Sequence, residues 1–111
     1  MWGVDPKNLC NQHLLGEHLE MHMFVGCIKK GIKLKGYYDK KLVCTNLIKK
    51  RHDDLAIEMI SRGMKHKSPI IETDLLKDFN YGEIDLEANK NELISRCSKC
   101  RDRLVSGVEK I

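Results

Sequence analysis

The chain has 111 residues, a formal net charge of +4 and 41% hydrophobic residues, which is enough for one hydrophobic core but not for two. Only two prolines and eight glycines occur, and together with the apolar fraction this composition argues against a disordered chain. No apolar run approaches the roughly 18 residues of a membrane span, and no signal-peptide pattern is present. The five cysteines are odd in number and irregularly spaced. They predict free thiols in a reducing, intracellular compartment: the cytoplasm or nucleoid, or a viral protein acting there.

Charge is unevenly distributed along the chain. The segment from Lys29 to Arg51 contains nine basic residues and one acid, whereas the segment from Ile70 to Leu93 contains seven acids and two lysines. A basic segment interleaved with tyrosines suits contact with nucleic-acid phosphates. A solvated, lysine-rich loop is the competing interpretation.

The first predicted helix begins at Asp5-Pro6, a helix-start signal, and runs to about Ile28 before Lys29-Lys30-Gly31 ends it. Its apolar residues recur at helical spacing, which predicts burial over much of its circumference. These residues are Leu14, Leu15, Leu19, Met21, Met23, Val25 and Ile28.

One line of this helix is polar. His13, Gly16, Glu17 and Glu20 are three or four residues apart and therefore share a face. Carboxylates on a largely buried helix must be paired, hydrated or used in chemistry. Glycine is costly inside a helix, so Gly16 predicts the close approach of another backbone.

Two more helices are predicted beyond a basic connection over residues 31–41. The second runs from about Val43 to Arg62, and a long acidic connection from Ser68-Pro69 follows, which we expect to pack as an ordered wrap with a short helical turn over residues 74–79. The third helix runs from about Asn89 to Ser106. It has one unbroken apolar stripe, composed of Leu93, Cys97, Cys100, Leu104 and Val108.

The position of Cys97 and Cys100 on this stripe favours buried, apolar thiols over a metal site or redox chemistry. A zinc site would need two more ligands, and the sequence shows no second close pair that must lie opposite them. His18 and His22 are candidates for such a pair, but nothing in the sequence places them there. No metal site and no cofactor is therefore predicted. The other cysteines and His18, His22, His52 and His66 are interpreted as packing or surface residues.

Two stretches carry a resemblance to a known family. Gln12-His13-Leu14, Glu17, Glu20 and Val25-Gly26 resemble the first helix of the pyrimidine-dimer DNA glycosylases, small bifunctional repair enzymes typified by a bacteriophage endonuclease V. The second stretch resembles the family's second helix and the segment after it. It comprises Lys50-Arg51, Leu55, Glu58, Arg62-Gly63 and Lys67.

The resemblance implies an all-α fold: a compact three-helix single domain over residues 1–111, with an N-terminal arm threaded between helices and long ordered connections. In the family, the α-amine attacks C1′ of a damaged nucleotide to form a Schiff base, and β-elimination then cuts the strand. Model α-amines have a pKa of about 7.7–8.0, well below that of lysine, which suits this nucleophilic role. The matching residues here are Met1 for the amine and Glu20 for the carboxylate that assists it.

The resemblance also implies that the protein acts on UV-damaged or abasic duplex DNA as a glycosylase and abasic-site lyase, bending the duplex and extruding a base. We expect a monomer. Glu17, Gln12, His13 and Gly16 would support the site, although a hydrogen-bonded core histidine is the competing interpretation of His13. The predicted DNA contacts are Lys29, Lys30, Lys49, Lys50, Arg51, Lys65, Lys67, Arg96 and Arg101.

Several features depart from the family pattern or leave an alternative open. Leu19 and Met23 stand where phage-type members carry arginines, and the aromatic, basic C-terminal tail is missing. If Met1 is the first residue, bulky Trp2 should block its removal; if the chain starts upstream, the nucleophile lies outside this sequence. Glu20 has an alternative partner in Arg96 or Arg101. The alternative function is a non-catalytic nucleic-acid-binding or structural protein that kept the fold.

Overall fold

The computed structural model describes residues 1–66 and 83–109. It contains five α-helices within those ranges, so the predicted all-α class is confirmed. The helices are α1 (Asn11–Lys30), α2 (Lys35–Asp39), α3 (Ile48–Ser61), α4 (Leu86–Arg96) and α5 (Ser98–Glu109). Two 3-10 turns, Pro6–Asn8 and Thr45–Leu47, precede α1 and α3. The acidic connection with its predicted turn over residues 74–79, and Lys67, lie outside the described residues.

The start of α1 differs from its prediction. Asp5 does act as a cap, accepting a hydrogen bond from the backbone N–H of Lys7 at 3.0 Å, but the element it caps is the turn Pro6–Asn8. The chain then becomes extended at Leu9 and Cys10 before α1 begins. Gly31 ends α1 in the left-handed conformation, with φ of 72°, which glycine adopts without steric cost.

One side of α1 is exposed, although this helix was predicted to be buried over much of its circumference and three of the residues on that side were counted as buried. Leu15, Leu19 and Met23 are 47%, 70% and 38% exposed. The three are four residues apart and form one line, which the helices packed on the other sides of α1 leave uncovered. The residues of α1 that enter the core are Leu14, Met21, Phe24, Val25 and Ile28.

Gly16 does not mark a close approach of another backbone, so that prediction is wrong. A Cβ atom added to Gly16 would meet no heavy atom within 4 Å. The two carboxylates on the same polar line differ in burial. Glu17 is buried, whereas the Glu20 side chain is 31% exposed.

The third predicted helix is two helices, because the chain is extended at Cys97, with φ of −131° and ψ of 108°. The predicted unbroken stripe is therefore wrong, although Leu93, Cys100 and Leu104 are all buried. The Cys97 sulfur accepts the backbone N–H of Cys100 at 3.5 Å, as a capping side chain does at a helix start. The N-terminus of α4 is capped by Asp85, which accepts from the N–H of Ala88 at 3.0 Å.

One hydrophobic cluster joins these elements. It draws on the N-terminal arm, α1, α3, α4 and α5 through Met1, Leu9, Phe24, Leu55, Leu93 and Leu104. An isolated antiparallel bridge between Leu42 and Ile84 links the segment before α3 to the segment before α4. No helix in the described ranges is both long and apolar enough to span a bilayer.

Candidate active site

The α-amine of Met1 is the centre of the candidate site. It forms an ion pair with Glu20 Oε1 and donates a second hydrogen bond to the carbonyl oxygen of Leu42 at 2.9 Å. The Met1 carbonyl oxygen accepts from Nδ2 of Asn89 at 3.2 Å. The first residue is therefore held between α1 and α4, with its side chain only 1% exposed.

Three separate elements position these partners. Glu20 lies on the polar line of α1, and Asn89 is buried in the first turn of α4. The Leu42 carbonyl is presented next to the bridge to Ile84, where the N–H of Asp85 also donates to the Lys41 carbonyl at 3.2 Å. Sequence reasoning missed Leu42 and Asn89. A carbonyl group of the backbone is present at every residue, so the sequence does not indicate which one accepts a hydrogen bond. A single asparagine in a helix does not indicate which group it will bind.

Glu17 and Arg51 form a buried ion pair that joins α1 to α3. Nη2 of Arg51 donates to Oε1 of Glu17 at 2.9 Å, and Nε of Arg51 donates to Oε2. The Arg51 side chain is 10% exposed and the Glu17 side chain is 0% exposed. Such bidentate pairing satisfies both charges away from water. Arg51, which was predicted to contact DNA, therefore pairs with Glu17. Glu20 pairs with the Met1 amine instead.

A cleft of about 350 Å³ opens beside Met1, within the size range of ligand pockets. Its wall is mainly apolar, and its polar members are Lys50, Arg51 and Asp54. Lys50 and Asp54 form an ion pair at 2.7 Å. The lining residues are Met1, Gly3, Leu47, Lys50, Arg51, Asp54, Ile84 and Leu86. An amine, a carboxylate and an open cleft together suit covalent attack on a sugar carbon.

The other predicted DNA contacts that fall within the described residues lie at the surface. Lys49 and Lys50 pair with Asp53 and Asp54 one turn later on α3, at 2.6 and 2.7 Å. Arg96 pairs with Glu92 at 3.4 Å, so it is not the partner of Glu20. The residues classed as exposed are Lys29, Lys30, Lys50, Lys65, Arg96 and Arg101. Exposed pairs contribute little to stability, so these lysines remain available to phosphates.

Four histidines interpreted from sequence as separate packing or surface residues form a cluster: His18, His22, His52 and His66. The ring centroids of His18 and His52 are 4.7 Å apart, and those of His18 and His66 are 4.8 Å apart. Nδ1 of His52 lies 2.9 Å from Oδ1 of Asp53. Burial, followed by the charges of His52, His22 and His66, lowers the pKa of His18 to about 4.

This histidine cluster predicts acid sensitivity. An unfolded histidine has a pKa of about 6.5, so between that pH and 4 the unfolded chain binds more protons at His18 than the folded chain does. The stabilisation is present above pH 6.5 and is lost as the pH falls toward 4. We expect the free energy of unfolding in urea to drop by about 2 kcal/mol over this range from His18 alone, after allowance for solvent screening. His18→Gln should flatten the drop, and an equally steep profile in that variant would contradict the assignment.

A second cluster joins Cys10 and His13, at the start of α1, to Cys97 and Cys100, at the start of α5. The Cys10 sulfur lies 3.2 Å from Nδ1 of His13 and 3.8 Å from the Cys97 sulfur. Nδ1 of His13 is also 3.5 Å from the Cys100 sulfur, so His13 faces sulfurs. Trp2 packs edge-on against the His13 ring, with centroids 5.8 Å apart. We call these four residues the Cys3His cluster.

The thiols of this cluster differ in acidity. Burial raises the pKa of the Cys100 thiol to about 12. The backbone N–H of Cys100 lowers the pKa of the partly exposed Cys97 thiol. Sequence reasoning missed the cluster, although a signal was present: Cys10 and His13 have the same spacing as Cys97 and Cys100. Gln12, predicted to support the site, is exposed at the surface.

Comparison with known proteins gives one family match. Residues 1–72 match the family model described as pyrimidine dimer DNA glycosylase. Neither the curated proteins nor the solved structures yield a match. The matched range includes Met1, Glu20, Leu42 and the Glu17–Arg51 pair, and it ends before Asn89.

Proposed function

Because the chain belongs to the pyrimidine dimer DNA glycosylase family, a family of DNA repair enzymes, we propose that it uses the α-amine of Met1, assisted by Glu20, as a glycosylase and abasic-site lyase. The family resemblance predicted from two helical stretches is confirmed by the match. The observation that carries the finer proposal is the ion pair between the Met1 amine and Glu20. An amine and a carboxylate in direct contact can exchange a proton, as this chemistry requires.

In the first step, Glu20 accepts a proton from the Met1 ammonium group and frees the nitrogen lone pair. The neutral amine forms a bond to C1′ of the nucleotide, and the glycosidic bond breaks with its electron pair leaving on the base. The departing base takes up a proton. The Leu42 carbonyl, 2.9 Å from the amine, orients the nitrogen during the attack.

In the second step, the nitrogen bonded to C1′ carries two protons and loses one of them. The sugar ring then opens as the C1′–O4′ bond breaks and O4′ takes up a proton, which gives a Schiff base that is cationic because its nitrogen keeps the other proton. Its charge stands where the ammonium group stood, so the carboxylate of Glu20 stabilises it. Removal of a C2′ proton then expels the 3′-phosphate as the C3′–O bond breaks. Water hydrolyses the Schiff base and restores the amine.

The surface around the site supports contact with both the backbone and the bases of DNA. Lys49 and Lys50 lie on α3 near the cleft and can exchange their aspartate partners for phosphates. The exposed line of Leu15, Leu19 and Met23 runs along the helix that carries Glu20. Exposed apolar surface of this kind suits contact with an unstacked base or sugar. Two of its residues, Leu19 and Met23, stand where phage-type members carry arginines.

Borohydride trapping on duplex DNA with one abasic site tests this proposal. Protein whose intact mass shows a free Met1 should give a covalent complex, and protein extended by residues ahead of Met1 should give none. Lys50→Ala, which removes the lysine lining the cleft, should still be trapped at saturating protein. A duplex with one cyclobutane pyrimidine dimer should be incised at the dimer.

Two results would contradict the proposal. Trapping that persists in the extended protein would place the nucleophile on an amine other than that of Met1, either a lysine or the new N-terminus. Salt-sensitive DNA binding without any trapping of the free Met1 form would favour a non-catalytic DNA-binding protein.

A further inference from the structure

The N-termini of two helices meet at the Cys3His cluster. Cys10 is the residue immediately before α1, and His13 is in its first turn. Cys97 is the residue immediately before α5, and Cys100 is in its first turn. Each helix start therefore presents two side chains three residues apart, as Cys-x-x-His and as Cys-x-x-Cys. This spacing is typical of zinc-ligand pairs.

Two separations among the four candidate ligand atoms match those of a tetrahedral site, and a third, 3.2 Å between the Cys10 sulfur and Nδ1 of His13, is slightly shorter. With Zn–S bonds of about 2.3 Å and Zn–N bonds of about 2.0–2.1 Å, two sulfurs stand about 3.8 Å apart and a sulfur and a nitrogen about 3.5 Å apart. The Cys10 and Cys97 sulfurs are 3.8 Å apart, and the Cys100 sulfur is 3.5 Å from Nδ1 of His13. All four atoms lie within 4.8 Å of one another.

The surrounding backbone favours thiolates at these positions. The N–H of Cys10 donates to the Cys100 sulfur at 3.2 Å, and the N–H of Cys100 donates to the Cys97 sulfur at 3.5 Å. Backbone donors to ligand atoms orient and stabilise a metal site. Both helix N-termini add positive potential, which offsets the negative charge of three thiolates around a divalent ion.

We propose that Cys10, His13, Cys97 and Cys100 bind one structural Zn²⁺ ion. Binding releases three thiol protons to the buffer and uses Nδ1 of His13, whose proton then resides on Nε2. Four protein ligands close the coordination sphere, so no position is open for substrate. The zinc joins the end of the N-terminal arm to α5. At the other end of that arm, Glu20 and the Leu42 carbonyl hold the Met1 amine, and Asn89 donates to the Met1 carbonyl oxygen. With zinc bound, the arm is therefore fixed at both ends.

Metal analysis of the untagged protein tests the proposal. Wild type purified under reducing conditions should contain one zinc per chain. Cys97→Ser and Cys10→Ser should each lower the zinc content at least tenfold, because a structural zinc site needs all four of its protein ligands. Cys27→Ser and Cys44→Ser change cysteines outside the cluster and should retain one zinc.

X-ray absorption at the zinc edge of wild type gives a readout that does not depend on the variants folding. Three sulfur ligands and one nitrogen ligand are expected. A shell of nitrogen and oxygen alone, with zinc lost in His66→Ala, would move the metal to the histidine cluster and overturn the proposal. Wild type that stays zinc-free in medium with added zinc, or that contains a Cys10–Cys97 disulfide by peptide mapping, would also overturn it.

Discussion

Replacing Glu20 by glutamine is expected to lower the single-turnover rate of strand cleavage at an abasic site by about 100- to 10,000-fold. Glutamine has nearly the same shape and still offers an oxygen to the Met1 amine. It cannot take the amine proton, and it carries no negative charge to stabilise the Schiff base. Quenched-flow or manual assays with protein in excess over an end-labelled abasic duplex measure the rate directly.

Asp54→Asn is the matched control, because Asp54 is a carboxylate on the cleft wall that pairs with Lys50 rather than with the amine. Its cleavage rate should stay within about threefold of wild type, an effect on the scale of an exposed ion pair. DNA affinity should be similar in both variants. A Glu20→Gln enzyme that cleaves at the wild-type rate would leave the ion pair to Met1 with a purely structural role.

The contact between Met1 and Glu20 was predictable only through the family resemblance. Periodicity placed Glu20 on a polar face, but the arm that reaches it is nineteen residues away in sequence, and no local pattern specifies its path. The other two partners of Met1 depend on pairing between distant segments. Leu42 is positioned next to its bridge to Ile84, and Asn89 by the docking of α4.

Periodicity also predicted the helices better than the surfaces they bury. The apolar pattern of α1 was real, yet Leu19 is among its most exposed residues because no element covers that line. The pattern of the third predicted helix continued across Cys97, although the backbone is extended there. Cysteine is compatible with a buried helical stripe and with a cap, so residue type alone did not locate the break.

The Cys3His cluster also could not be predicted from local sequence patterns alone. The two members of each pair, Cys10 with His13 and Cys97 with Cys100, are only three residues apart, so the sequence shows that they lie close together. The distance between the two helix starts is a tertiary quantity, set by the packing of α5 against the turn Pro6–Asn8 and by the bond from the N–H of Cys10 to the Cys100 sulfur. The equal spacing of the two pairs could have indicated a shared site. It was not followed because Cys97 and Cys100 were assigned to the apolar stripe of a helix.

Arg51→Met is expected to lower the free energy of unfolding by about 3–5 kcal/mol, because it leaves the Glu17 carboxylate buried without its partner. The pair is bidentate, and the Glu17 side chain is fully buried. The double variant Glu17→Leu/Arg51→Met removes both charges and should recover most of the loss, since apolar residues of similar volume can replace a buried ion pair. Guanidinium titrations of the three proteins give these values.

Lys49→Met serves as the control on the same helix, because its pair with Asp53 is partly exposed and should be worth less than about 1 kcal/mol. The series separates two roles for Arg51. If Arg51 contacts phosphate, its substitution would lower the affinity of the protein for DNA and leave its stability unchanged. If Arg51 serves mainly to pair with Glu17, its substitution would lower the free energy of unfolding. The double variant would then recover that stability although it still lacks the guanidinium group. Unchanged stability in Arg51→Met, together with weaker and less salt-sensitive DNA binding, would return Arg51 to the DNA interface.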